Sequence, residues 1–146
     1  LGTKTGFSIS LAGGKYICSG TVDFTSKRLE DPNRKYLRFR EFLEKTCLKY
    51  SVNEIYFEEV RRHVGTTAAH VYGGYLAILL TFCVQEAISY ESVPVTTIKK
   101  HIAGKGNAKK ESIVAAVKKI GFNPVDDNEA DAISIMLYIF QKLTIG

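Results

Sequence analysis

Asn53-Glu54-Ile55-Tyr56-Phe57-Glu58 is the stretch whose reading decides the fold. Its aliphatic and aromatic residues stop at a carboxylate, the pattern of a buried strand that delivers an acid to the rim of a sheet. Far downstream, Asp131 interrupts the largely apolar run of residues 130–140. That run predicts a helix over residues 128–143, with Asp131 near its start and other faces too apolar to be solvated. On this helix Asn128, Asp131, Ser134 or Ile135, and Tyr138 share one face, while Ile133, Met136, Leu137 and Phe140 take most of the rest. Asp127 can join Asp131 from the first turn, whereas Glu129 points elsewhere on an ideal helix. Two acids converging at a sheet edge, with a lysine- and glycine-rich segment over residues 99–110 between them, point to metal-assisted chemistry on a phosphate.

Outward from these two stretches, residues 7–11 and 15–24 read as a hairpin closed by Ala12-Gly13-Gly14. Residues 25–33 form a polar connector, and Asp31 before Pro32 opens an amphipathic helix on which Tyr36, Phe39, Leu43, Cys47 and Tyr50 recur at helical spacing. Thr66 or Thr67 caps a long helix running to about Ala87, and Gly73-Gly74 inside it implies close approach of another helix or backbone. A short strand over residues 92–95 is broken by Pro94 and Thr96, and residues 108–120 form a further helix before the turn Gly121-Phe122-Asn123-Pro124. The order is that of an α/β domain with a mixed sheet.

Composition narrows the function class. The chain has 146 residues, 45% of them hydrophobic, enough for one domain with a continuous core. A formal net charge of +5 and a pI of about 9.1 favour a polyanionic partner. Cys18, Cys47 and Cys83 are odd in number and widely spaced, which argues against a disulfide framework or zinc knuckle and fits a reducing, cytoplasmic setting. The longest apolar run, residues 75–84, is too short to span a bilayer, so no membrane partner is expected.

The segments LGTKTG from Leu1, IYFEEV around Glu58, TIKKHIAGKGNAKKESI from Thr97 and DDNEADAISI from Asp126 resemble the RuvC-type Holliday junction resolvases of the RNase H-like superfamily. The likeness is to the phage- and prophage-encoded branch, and it covers nearly the whole chain in the right order. It implies a single-domain α/β fold with a five-stranded mixed sheet flanked by helices, a homodimer, magnesium or manganese dependence, and paired nicking of four-way DNA junctions. The resemblance places the family's strand-end glutamate on Glu58, its last catalytic aspartate on Asp131, and its two important lysines on Lys99 and Lys110. Those lysines would hold the scissile phosphate or offset charge on the leaving oxygen. Lys105 and Lys109 belong to the same basic, DNA-facing segment.

Three departures accompany the resemblance. Asn128 stands where the family has an acid or histidine one turn before the aspartate; Asp127 or Glu129 are the carboxylates able to substitute. The family's first strand, which ends in an aspartate, falls before Leu1. Arg61, Arg62 and His63 replace the aromatic residue three positions after the glutamate; guanidinium groups still stack on bases and bind phosphate. Two other function classes stand beside the nuclease: a junction-binding protein of the same fold with little or no catalysis, and an actin-like nucleotide-phosphate binder suggested by LGTKTG.

Overall fold

The computed structural model describes residues 1–145. Its elements run β1 (Lys4–Leu11), β2 (Lys15–Asp23), α1 (Arg34–Tyr50), β3 (Glu54–Glu59), α2 (Thr66–Gln85), β4 (Ser89–Pro94), α3 (Val95–Ala103), α4 (Lys110–Ile120) and α5 (Asp127–Ile145). β1 and β2 pair antiparallel across a turn in which Gly13 and Gly14 both take positive φ. β3 and β4 pair in parallel, with Glu58 opposite Val93. Both pairing senses are therefore present in one α/β chain.

Side-chain alternation along the strands sets the layers. Phe7 packs on Phe42 of α1, whereas the neighbouring Ser8 hydroxyl donates to the Ala132 carbonyl of α5 at 2.8 Å. β3 repeats this division: Ile55 and Phe57 join the core of α1 and α2, and Tyr56 joins the cluster formed with α5. The strands are thus sandwiched between an α1–α2 layer and an α3–α5 layer. Phe24, Phe39, Tyr75, Leu79 and Phe82 fill the first layer, each almost fully buried and each stabilising by about 1.5–3 kcal/mol. The expected close approach at Gly73-Gly74 falls on Gly74 alone, where a β-carbon would lie 2.7 Å from the Tyr36 ring; around Gly73 there is open space.

Several expectations need correction. The four strands form two separate two-stranded ladders, not one five-stranded sheet. The facing edges of β1 and β3 do not meet, because a cavity of about 480 Å³ runs between them, lined also by α1 and α5 residues such as Phe42, Ile135 and Met136. The fourth strand covers Ser89–Pro94, not residues 92–95: pairing with β3 extends it upstream through Ser89, Tyr90 and Glu91, whose exposure hides the apolar alternation of a strand. Pro94 then caps α3, a helix concealed by its β-branched start Val95-Thr96-Thr97. α1 begins at Arg34, since Asp31 instead accepts the Asn33 N–H in a local turn. α2 starts after Gly65 with no side-chain cap. At 20 residues it is long and apolar enough, by length and composition, to cross a membrane, which a count of consecutive apolar residues misses. Its buried side chains Tyr75, Leu79, Phe82 and Cys83 belong to the protein core.

Candidate active site

Alternation brings Glu58 to the α5 side of β3. It lies two residues beyond Tyr56, on the same strand face, at the carboxyl end of a parallel pair. α5 presents Asp131 to the same place, and both line the cavity between β1 and β3. Burial pushes the Asp131 carboxyl up to about 6, the charges of Glu58 and then Asp127 push the same way, and Lys99 and Lys110 oppose them. Three acids and two lysines are thus within electrostatic reach of one another. Lys110 Nζ lies 3.5 Å from Asp127 Oδ2. The backbone nitrogen of Leu1 lies 3.5 Å from Glu58 Oε1.

The start of α5 is fixed by a reciprocal cap. Asp126 accepts the Glu129 N–H at 2.9 Å, and the Glu129 carboxylate accepts the Val125 N–H at 3.3 Å. Glu129 also accepts the Ser19 hydroxyl and is 5% exposed, so its carboxylate is spent on β2 and the cap. Burial raises the Asp126 carboxyl, but the Thr21 hydroxyl donated at 2.6 Å and the Glu129 N–H hold it below the ordinary carboxylate range. Asn128 lines the same cavity as Glu58 and Asp131.

The basic residues are carried on the two segments that leave the carboxyl ends of β3 and β4. After β3, residues 60–65 present Arg61, Arg62 and His63; Arg61 pairs with Glu59 at 3.3 Å, and the His63 ring packs on Tyr72 at 4.9 Å. After β4, α3 carries Lys99, and the following loop carries Lys105 and Lys109 into α4, whose first residue is Lys110. Lys105, Lys109 and Lys110 are exposed, while Ala108, Ile113 and Val117 anchor this loop and helix to Ala130, Ile133 and Met136 of α5. The lysine segment is therefore mounted on the helix that holds Asp131.

Glu58 and Asp131 suit a divalent cation. They are hard oxygen donors that line one cavity, and the charge of Glu58 adds to burial in raising the proton affinity of Asp131, as expected of two carboxylates that face each other. Among the described residues no group of three His, Cys, Asp or Glu side chains has metal-ligand geometry. Two residues that sequence reasoning missed shape the site. Gly6 lets α5 approach β1, and its signal was a glycine inside a strand. Tyr72 of α2 donates its hydroxyl to the Glu58 carbonyl at 2.8 Å, a long-range contact with no local signal.

An α/β domain with one acid at the carboxyl edge of parallel strands, a second facing it from a helix, and lysines at the border is a nuclease type of architecture. Residues 2–138 match the family model of crossover junction endodeoxyribonuclease RuvC, and the chain belongs to that family. The crossover junction endodeoxyribonuclease RuvC of Rickettsia typhi is 27% identical over 124 residues, covering 83% of this chain and 78% of the relative. That of Rickettsia akari is 26% identical over the same shares. RuvC of Thermus thermophilus superposes with a TM-score of 0.74 at 19% identity, covering 97% of this chain and 90% of that one. The same protein in complex with a Holliday junction substrate gives 0.75 at 16% identity, covering 97% and 96%.

Proposed function

We propose that this protein is a divalent-metal-dependent endodeoxyribonuclease that resolves four-way DNA junctions by paired nicks. The observation that carries the reading is the meeting of Glu58 and Asp131, flanked by Lys99 and Lys110, in a chain of the RuvC family. Glu58 and Asp131 would hold magnesium or manganese, which when bound supplies Lewis acidity and an acidified water at the phosphodiester. Lys99 and Lys110 hold the scissile phosphate and balance charge on the leaving oxygen. Arg61, Arg62, His63, Lys105 and Lys109 bind the junction arms, Asn128 supports the centre through its amide, and Asp127 is a nearer reserve carboxylate than Glu129. The cytoplasm of a bacterial or phage-infected cell is the setting.

A fifth strand belongs in the slot between β1 and β3. Both strands turn an unpaired edge toward a cavity lined on its two faces by Phe42, Leu43, Ile135 and Met136, the surroundings of a central strand. A segment entering before Leu1 would end beside Glu58, where a third carboxylate would complete the ligand set. On this reading residues 1–146 belong to one nuclease domain. The protein is a homodimer through α2, whose outer face carries Gly73, Ala77, Thr81 and Val84 in the open.

The alternative of a junction-binding protein with little catalysis draws on Asn128, an uncharged residue at a position where the resemblance implies an acid or histidine. The nucleotide-binding reading loses its loop, because Gly2 N–H and the Thr5 hydroxyl are bonded to each other's residue within one turn. The deciding experiment incubates a synthetic four-way junction, with linear duplex as control, in magnesium with protein carrying its upstream residues and with protein starting at Leu1. The extended form cuts the junction symmetrically and spares the duplex, and the shorter form binds and cuts little. No cutting by the extended form supports the binding protein instead.

A further inference from the structure

We propose that Tyr72 is a positioning residue for the metal site, holding the Glu58 main chain and the first turn of the Arg61–His63 loop in the geometry that cleavage needs. The inference rests on the reading of Glu58 as a metal ligand. β3 ends at Glu59, paired with Pro94 at the end of β4, so directly after Glu59 the ladder no longer constrains the chain. At that point the Tyr72 hydroxyl donates to the Glu58 carbonyl at 2.8 Å and lies 3.5 Å from the Val60 amide nitrogen, which donates back to it. One phenol thus clasps the backbone on both sides of Glu59. Its ring also supports His63 at 4.9 Å, the last of the three residues of this loop assigned to DNA. Tyr72 is anchored from behind, since α2 is fixed in the core three residues later by the fully buried Tyr75. A side chain that fixes the carrier of a ligand, not the ligand's own oxygens, alters metal affinity by changing how often the carboxylate is in place.

Tyr72→Phe keeps the ring against His63 and removes only the hydroxyl. Three quantities are read on wild type and variant: Mn²⁺ affinity by water-proton relaxation, which needs no turnover; amide hydrogen exchange at Val60; and the cleavage rate as a function of metal concentration. The variant is expected to bind Mn²⁺ about tenfold more weakly, to exchange Val60 faster, and to recover cleavage at raised metal concentration. Its junction affinity and its melting temperature should stay close to wild type. Wild-type Mn²⁺ affinity and Val60 exchange in Tyr72→Phe overturn the proposal. If wild type binds Mn²⁺ but cuts nothing, the nuclease reading fails while the relaxation and exchange arms still decide the role of Tyr72.

Discussion

Gly6 of β1 lies against the main chain of Asn128 in α5, so closely that a β-carbon on Gly6 would sit 1.9 Å from the Asn128 carbonyl oxygen. No side-chain rotation relieves that overlap, because the obstructing atoms are backbone. Gly6→Ala is therefore expected to push the start of α5 away from β1, costing about 3 kcal/mol or more. Asp131 rides on the displaced helix. Thermal unfolding should show the loss directly, and an unchanged melting temperature would mean that α5 does not approach β1 as described.

Asp131 gives the metal-free protein a pH signature. Its carboxyl is raised by burial first, then by Glu58 and Asp127, from 3.8 to about 6, so the folded state binds the proton more tightly than the unfolded chain. Below pH 4 both states hold the proton and nothing is lost; as pH rises from 4 to 6 the fold loses on the order of 2 kcal/mol relative to Asp131→Asn. In EDTA the variant should melt with wild type near pH 4 and several degrees above it at pH 7. A difference in melting temperature that stays constant with pH would remove Asp131 from the acidic cluster.

Lys105 and Lys109 are exposed on the loop anchored by Ala108. If each meets one phosphate, replacing either with alanine lowers the slope of log affinity against log salt by about one unit, through loss of counterion release. Fluorescence anisotropy with a four-way junction over a salt series measures this. Unchanged slopes in both variants would locate these lysines off the DNA.

The outer face of α2 should join two copies, because Ala77 is exposed and Gly73 has open space where a β-carbon would be. Light scattering is expected to give twice the 16.2 kDa chain mass at micromolar concentration, and Ala77→Arg should halve it. A wild-type monomer at that concentration would count against the interface.

Local pattern revealed what local pattern can carry. Ile55-Tyr56-Phe57 ending at Glu58 and the apolar faces around Asp131 were readable because strand and helix periods place both acids without reference to the rest of the chain. β4 and α3 were harder: Ser89-Tyr90-Glu91 is polar because it is exposed, and Val95-Thr96-Thr97 looks like strand but begins a helix. Glu129 was read as pointing elsewhere on an ideal helix; its cap on the Val125 N–H is local, but its bond to the Ser19 hydroxyl depends on a residue 110 positions away. The hold of Tyr72 on Glu58 exists only once the chain has folded, so nothing in neighbouring residues announces it, and the fit of Gly6 under Asn128 leaves only the signal of a glycine within a strand.

Single-turnover cleavage of a four-way junction by Glu58→Gln, in parallel with direct binding to the same junction, tests the central claim most directly. Glutamine keeps the size of the side chain and removes the charge a divalent cation needs. The expected result is junction affinity within about twofold of wild type with cleavage down about 100-fold or more. Cleavage by Glu58→Gln at the wild-type rate would contradict the assignment of this carboxylate, and with it the site built around Glu58 and Asp131.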